Sequence, residues 1–184
     1  MKDDVQLDKY DNTWYSAGGF LKRVLWYLVN VVFFGLPIPW PAAIKPSLLR
    51  MFGACAGKGV VIKPRVNIKY PWFIKIGANV WIGEGVWIDN IADVKIGDNV
   101  CISQGAYLCT GNHDWSKQAF DLIAKPILIE DGVWVGAKAI ICPGVRLKSY
   151  SVITAGSVMT KNAEPYMVYQ GNPATAAKQR NIKN

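Results

Sequence analysis

The only histidine of the chain, His113, is the residue best suited to acid–base chemistry, and it lies in a short polar run. The run reads Gly-Asn-His-Asp-Trp from Gly111 to Trp115. A neutral imidazole accepts a proton near neutral pH, so this residue type could act as a general base toward an alcohol or an amine. Either the Asp114 carboxylate or a backbone carbonyl could hold the ring in place. A lone histidine is more often structural than catalytic, so its setting has to support the hypothesis.

Cysteine and histidine usage argues against a metal centre. The four cysteines, Cys55, Cys101, Cys109 and Cys142, are scattered and form no Cys-x-x-Cys pair. That spacing indicates neither a zinc site nor a disulfide framework. A zinc enzyme of the γ-carbonic-anhydrase type would need three histidines, and the chain has one. We therefore expect no metal, and reduced, mostly buried cysteines in a cytoplasmic protein.

Composition favours a globular domain with an anionic partner. Apolar residues make up 51% of the 184 residues, and the formal net charge is +8. The first favours extensive burial, and the second favours binding to phosphates, nucleic acid or a membrane surface. The sequence has no helix-turn-helix, zinc-finger or RNP pattern, so nucleic acid is not an expected partner.

The elements that must position the histidine are set by a six-residue repeat. An aliphatic residue recurs at 129, 135, 141, 147 and 153, and the same spacing joins Ile76 to Ile88 and Ile96 to Leu108. A weaker register runs through Ile62, Ile68 and Ile74. This period fits neither a helix nor a long strand, but it fits a short strand plus a turn, three times per coil. Gly77, Gly83, Gly97 and Gly136 follow these aliphatic residues, where we expect corners with unusual backbone angles.

Two interruptions break the period. Two extra residues lie between Ile88 and Ile96, in a corner that contains Asp89, Asn90 and Asp93. A longer insert, at about residues 111–125, contains His113. A loop that leaves a regular solenoid is a typical place for function, which favours a catalytic histidine.

An apolar segment precedes the repeat. Leu25 to Leu36 is shorter than the roughly 20 residues that cross a bilayer, and Pro37 and Pro39 end it. We expect a helix that packs on the protein's own core or on a neighbouring subunit. The alternative is a shallow membrane contact through residues 21–40.

The segment from about Cys55 to Lys178 resembles the hexapeptide-repeat acyltransferases. The similarity is carried by Ile96-Gly-Asp-Asn-Val-Cys-Ile-Ser-Gln-Gly-Ala-Tyr, Gly111-Asn-His-Asp, Val133-Trp-Val-Gly-Ala, Pro143-Gly-Val, Ala155-Gly-Ser-Val-Met-Thr-Lys and Gly171-Asn-Pro-Ala. It is strongest to the maltose, galactoside and nodulation-sugar acetyltransferases and, through Tyr70-Pro-Trp and the apolar helix, to the colanic-acid biosynthesis acetyltransferases. The resemblance implies an all-β fold, a left-handed parallel β-helix, over residues 55–170. An N-terminal helical extension (1–54) and a short C-terminal tail (171–184) flank it.

The resemblance also implies roles for individual residues. His113 would deprotonate the acceptor, and the backbone amide of Ala137 would stabilise the oxyanion. Acetyl-CoA would lie between two subunits of a homotrimer, and the positions that match its contacts are Trp134, Ala137, Ala155, Thr160, Lys161, Lys178 and Arg180. Asp89, Asn90, Asp93 and Asp114 would line the acceptor pocket. Trp134 as a subunit-contact aromatic, the basic tail as a solvated segment and the three bulge residues as simple corner residues are the structural alternatives. Asp114 stands where the sugar acetyltransferases commonly have proline, which bears on the acceptor more than on the chemistry.

These features predict an acetyl-CoA-dependent O-acetyltransferase that acts on a sugar hydroxyl in cell-surface polysaccharide biosynthesis. The acceptor would be a saccharide or a lipid-linked saccharide, and the enzyme would be cytoplasmic or peripheral at the inner face of the membrane. A xenobiotic acetyltransferase of the streptogramin type and an inactive structural or membrane-associated trimer are the alternatives.

Overall fold

The computed structural model describes residues 4–183, so the ends of the expected extension and tail lie outside the described residues. Short strands wind into a β-helix. They are β1 (Cys55–Ala56), β2 (Val61–Ile62), β3 (Asn67–Ile68), β4 (Ile74–Ile76), β5 (Trp81–Ile82), β6 (Trp87–Asp89), β7 (Val94–Ile96), β8 (Cys101–Ile102), β9 (Tyr107–Cys109), β10 (Gly111–His113), β11 (Leu122–Ala124), β12 (Ile127–Ile129), β13 (Trp134–Val135), β14 (Ile140–Ile141), β15 (Arg146–Leu147), β16 (Val152–Ile153), β17 (Val158–Met159), β18 (Met167–Gly171) and β19 (Ala174–Gln179).

Three parallel sheets form the faces of the prism. Face one contains β1, β4, β7, β12 and β15, and face three contains β3, β6, β9, β14 and β17. Face two contains β2, β5, β8, β13, β16 and β18. Within each coil the chain visits the three faces in turn, which confirms the predicted parallel β-helix.

The inward aliphatic residues stack from coil to coil. Ile82, Ile102, Val135 and Ile153 are fully buried and pair in register on face two. The small residues that we singled out in the fifth place of each repeat are buried as well (Val133, Ala139, Val145, Ser151 and Ser157). Because each coil buries its apolar side chains against its neighbours, the six-residue spacing is directly the spacing of the core.

The weaker register at the N-terminal end of the repeat was assigned wrongly. Ile76, not Ile74, pairs with Ile96, whereas Ile74 pairs with Val94. A two-residue extension therefore lies between Ile68 and Ile76 as well as between Ile88 and Ile96. Ile74 is also buried, so a second apolar residue two positions early gave the appearance of an uninterrupted repeat.

The corner glycines have a different role from the expected one. Gly77 and Gly136 have no positive φ; the left-handed backbone lies two residues later, at Asn79 (56°) and Lys138 (56°). A Cβ atom on Gly136 would lie 2.6 Å from the backbone nitrogen of Ala155 in the next coil. Glycine is required there because adjacent coils approach closely, rather than because of its own dihedral angles.

Helices cover one side of the prism. Helix α1 (Phe20–Val29) runs into a π-helical turn (Asn30–Gly35), and α2 (Ile44–Met51) leads into β1; single 3₁₀ turns lie at Leu7–Lys9 and Pro71–Phe73. Trp26 is buried, and its indole nitrogen donates to the carbonyl of Ile68 at 2.8 Å. One side of α1 thus packs on the protein's own core, as expected. Among residues 4–183, no helix combines the length and apolarity that crossing a bilayer requires.

The C-terminal end extends face two. β19 pairs antiparallel with β18, so residues 174–179, which we expected in a tail, form a strand at the end of the solenoid.

Candidate active site

The insert that contains His113 is an antiparallel hairpin at the corner between faces three and one. β10 pairs with β11, with His113 opposite Leu122. The solenoid continues past the hairpin without a change of register, because β9 pairs with β14 and β7 pairs with β12. The hairpin is therefore held at both ends by the core while its turn projects from it.

The His113 imidazole is fixed by a backbone carbonyl and by two aromatic rings. Its Nδ1 lies 2.8 Å from the carbonyl oxygen of Phe120, which can only accept a hydrogen bond. Nδ1 therefore carries the proton of the neutral ring, and Nε2 keeps its lone pair. The Phe120 ring stacks on the imidazole at 4.5 Å and 9°, and the Tyr10 ring lies 5.6 Å away on a tilted plane. This is the arrangement that a general base of this type needs.

The Asp114 carboxylate is engaged within its own loop. Its Oδ1 accepts hydrogen bonds from the backbone N–H of Ser116 at 3.1 Å and from the Ser116 hydroxyl at 2.5 Å. These bonds lower the pKa of Asp114 below its ordinary value. Of the two groups that could orient His113, the structure therefore identifies the carbonyl of Phe120.

A polar cluster lies on the coil beneath the hairpin. Asp89 Oδ1 is 2.8 Å from Lys69 Nζ, and Asp89 Oδ2 accepts a hydrogen bond from the Tyr107 hydroxyl at 3.3 Å. The Tyr15 hydroxyl is buried nearby and has no hydrogen-bond partner among the described residues. Burial raises the pKa of both tyrosines, with Asp89 adding to the shift. Both phenols are therefore neutral near pH 7 and can donate hydrogen bonds.

The other two residues expected in the acceptor pocket differ in exposure. Asn90 is fully buried, and its amide bonds both the backbone N–H (3.0 Å) and the carbonyl (2.5 Å) of Tyr70 in the preceding coil. Asn90 therefore holds the shape of the corner. Asp93 is exposed, and its carbonyl accepts the backbone N–H of Ile127 at 3.0 Å.

The expected cofactor contacts on faces two and three lie at one edge. Trp134 is 48% exposed on face two, where its indole N–H donates to Ser103 Oγ at 2.9 Å. Ala137 and Ala155 occupy the corner between faces two and three on successive coils, joined by a 2.8 Å bond from the Gly156 N–H to the Ala137 carbonyl. The N–H of Ala137 has no acceptor within residues 4–183, so it is available to an oxyanion.

The remaining expected cofactor contacts are basic or polar and lie elsewhere. Thr160 and Lys161 are exposed after β17, and Lys178 is exposed in β19. Arg180 uses its Nη1 on the carbonyls of Gly132 (2.8 Å) and Tyr150 (3.1 Å). Only its other nitrogens could reach a phosphate.

Within one chain, His113 and Ala137 lie at opposite edges of face three. A face of about six residues spans roughly 15–20 Å at about 3.3 Å per residue. The general base and the oxyanion donor of one chain are therefore too far apart to act on the same thioester carbonyl, unless the hairpin folds back across the face.

Sequence reasoning missed Tyr10, Tyr15 and Phe120. The backbone N–H of Gln6 donates to the Gln118 carbonyl at 2.9 Å, which ties the N-terminal segment to the hairpin. No local pattern in residues 4–19 signals this contact. In the part of the chain that the structure describes, no three histidine, cysteine or acidic side chains are grouped so that they could hold a metal ion.

Comparison with known proteins gives a consistent result. The family model for the hexapeptide repeat of succinyl-transferase matches residues 126–161. The chain is 35% identical over 170 residues to WcaF of Escherichia coli (strain K12), which is named as a colanic acid biosynthesis acetyltransferase; the match covers 90% of this chain and 91% of that one.

Solved structures share the architecture. A maltose O-acetyltransferase from Clostridium difficile 630 superposes with a TM-score of 0.81 at 25% identity, covering 91% of this chain and 92% of that chain. A hexapeptide-repeat acetyltransferase of Vibrio cholerae O1 biovar eltor, in complex with acetyl coenzyme A, superposes with a TM-score of 0.78 at 25% identity, covering 88% of each chain. With its stacked coils, its hairpin histidine and its similarity to WcaF over most of both sequences, the chain belongs to the hexapeptide-repeat acetyltransferases.

Proposed function

We propose that this protein transfers the acetyl group of acetyl-CoA to a hydroxyl of a saccharide, with His113 as general base. The observation that carries the proposal is the 2.8 Å contact between His113 Nδ1 and the Phe120 carbonyl, which leaves Nε2 as the proton acceptor. The relatives support the reactants, because one is named for colanic acid biosynthesis, one is a maltose O-acetyltransferase and one binds acetyl coenzyme A.

The reaction needs one proton transfer in each direction. Nε2 takes the proton of the acceptor hydroxyl while its oxygen attacks the thioester carbonyl, and the Ala137 N–H stabilises the resulting oxyanion. When the C–S bond breaks, the imidazolium returns the proton to the leaving thiolate of CoA. His113 thus ends the cycle neutral, as it began.

We infer that the working enzyme is a homotrimer. A single chain places His113 and Ala137 one face-width apart, so a site that uses both takes them from two neighbouring subunits. Trp81 (61% exposed) and Trp134 (48% exposed) lie on the outer surface of face two, where a subunit contact would bury them. The donor would lie in the groove between subunits, near Ala137 and Ala155, with Thr160, Lys161, Lys178 and the free nitrogens of Arg180 as candidates for its phosphates.

Asp89 and Tyr107 are the side chains that we propose for contact with the acceptor. Both offer polar groups beneath the hairpin, whereas the buried Asn90 acts by shaping the corner. Asp93 and Asp114 are exposed or half-buried at the edge of this region, so they would contact the acceptor only at its periphery.

His113→Ala tests the chemistry. General-base catalysis contributes about 10²–10⁴-fold, so the variant should lose at least about a hundredfold in kcat. Transfer is measured as release of the CoA thiol with a panel of galactosides, maltose and exopolysaccharide oligosaccharides, and mass spectrometry of the product distinguishes an ester from an amide. Lys117→Ala, which removes only an exposed ion pair with Asp121 in the same hairpin, is the matched control and should keep its rate. A His113→Ala enzyme that retains more than a tenth of the wild-type rate would contradict the mechanism.

A further inference from the structure

A groove of about 640 Å³ lies between the helical segment and face three. Its volume is in the range of small-molecule sites, about 300–1,000 Å³. Phe20, Val24, Tyr27 and Val31 form the helical wall, and Trp87 lies on the opposite wall. The groove is separate from the corner that presents Ala137 and Ala155.

The helical wall is apolar and open to solvent. Phe20 is 74% exposed and Tyr27 is 66% exposed. From Val24 to Ala43 the chain has no charged residue. A contiguous exposed apolar surface of this kind marks a binding site rather than ordinary solvent-facing surface.

The groove also concentrates positive charge. Arg23, Arg65 and Lys69 line it, and no acidic residue does. Arg65 pairs with Glu84 (3.4 Å) and Lys69 pairs with Asp89 (2.8 Å) outside the lining, whereas Arg23 has no carboxylate within 4.0 Å among residues 4–183. An apolar wall beside unneutralised cations complements an amphiphile with an anionic head group.

One end of the groove reaches the candidate acceptor site. Lys69 joins the groove to Asp89, and the Asp89 carbonyl accepts the backbone N–H of Thr110 at 3.2 Å, directly before β10. On the outside, the N-terminal segment runs from Tyr10, against His113, to Phe20, at the groove. A ligand that filled the groove could therefore extend toward the imidazole.

We propose that this groove binds the lipid chain and the phosphate of a saccharide acceptor carried on a lipid phosphate. The inference rests on the proposed function, since it assigns the substrate class of the same site. The chain lies along Val24, Tyr27 and Val31, the phosphate meets Arg23 and Lys69, and the saccharide projects past Asp89 toward His113. Both parts of the groove, apolar and cationic, are needed for such a ligand.

Calorimetry with farnesyl phosphate, kept below its micelle-forming concentration, tests the binding directly. We expect it to bind at least about a hundredfold more tightly than inorganic phosphate, because burying each methylene adds to affinity. Equal affinity for the two probes would mean that only the anion is recognised, and no binding of farnesyl phosphate would overturn the proposal.

Two pairs of variants locate the site. Val31→Asp places a carboxylate in the groove, and Val32→Asp is its matched control, because Val31 (43% exposed) lines the groove whereas Val32 (42% exposed) does not. Arg23→Gln removes a groove cation, and Lys75→Gln removes an exposed cation on face one. We expect Val31→Asp and Arg23→Gln to weaken farnesyl phosphate binding at least tenfold and the two controls to leave it unchanged.

The remaining arms separate this proposal from its rivals. Equal weakening by Val31→Asp and Val32→Asp, together with sedimentation on vesicles of phosphatidylcholine and phosphatidylglycerol (3:1), would assign the segment to a bilayer surface and overturn the groove. Circular dichroism checks that each variant folds, and competition by dodecyl phosphate provides a readout on the unaltered protein, which should lose farnesyl phosphate binding. His113→Ala should still bind farnesyl phosphate. Acetyl transfer that depends on His113 without any such binding would retain the proposed function and reject only the lipid-linked acceptor.

Discussion

At the scale of single residues, the reactivity of His113 depends on contacts that lie outside its own motif. The Phe120 carbonyl determines which ring nitrogen is protonated, and the rings of Phe120 and Tyr10 limit rotation of the imidazole. Asp114, the adjacent acidic residue, is instead bonded to Ser116. The nearest carboxylate in sequence is therefore not the group that orients the base.

Tyr10→Ala should lower kcat about tenfold while leaving the KM for acetyl-CoA unchanged. Tyr10 is a positioning residue: without its ring the imidazole is held on one side only, and displacements of about 1 Å in an active site cost up to about a hundredfold. Steady-state kinetics measures the two constants, and Tyr10→Phe, which keeps the aromatic contact, should restore the rate. An increased KM for acetyl-CoA with an unchanged kcat would assign Tyr10 to donor binding instead.

At the scale of elements, the catalytic hairpin is an insertion that the solenoid tolerates. Ile96 and Ile129 pair directly although the whole hairpin lies between them in sequence. The preceding coil makes the same corner with only four residues, 90–93, between β6 and β7. The two kinds of corner leave the stacking of faces three and one intact, which separates the function of this element from the stability of the fold.

Replacing residues 110–126 with a second copy of Asn-Ile-Ala-Asp should therefore abolish acetyl transfer and preserve the β-helix. The new coil has the 20-residue length that separates Ile76 from Ile96. We expect the midpoint of thermal unfolding to fall by less than about 8 °C, since only surface contacts with the N-terminal segment are lost and 1 kcal/mol corresponds to about 2–4 °C at this size. Circular dichroism measures the transition. A variant that no longer folds would indicate that the hairpin belongs to the core.

At the scale of the whole molecule, stability is distributed over the contacts between successive coils. Every coil offers its inward side chains to the coil before and the coil after it, so a central rung contributes to two interfaces. Ile102 is such a residue: it is fully buried and pairs with Ile82 on one side and Val135 on the other.

Ile102→Ala should reduce the free energy of unfolding by about 2–5 kcal/mol, because the cavity lies between two rigid coils that cannot collapse onto it. Ile102→Val, which removes one methylene group, should cost about 0.5–1.5 kcal/mol. Urea titration at one fixed protein concentration measures both, so that any subunit association affects the variants equally. Similar losses for the two substitutions would mean that the central rung relaxes freely.

The sequence alone was sufficient for the regular part of the molecule. A repeat of six residues places the same side chain on the same face in every coil, so periodicity, burial and strand position are one signal. It was also sufficient for the position of the functional hairpin, since an insert interrupts that signal. It was misleading where Ile74 imitated the repeat, because burial at two residues of one strand cannot be distinguished by spacing.

Only the tertiary structure decided how the imidazole is held and where a lipid-linked ligand could lie. Tyr10 and His113 are joined by a contact between the N-terminal segment and a hairpin past the middle of the chain, and the groove is formed by helix α1 against β6. Such contacts have no period and no local propensity. They result from the way in which the helical segment packs on the outside of the prism, where the buried Trp26 fixes its position through the Ile68 carbonyl.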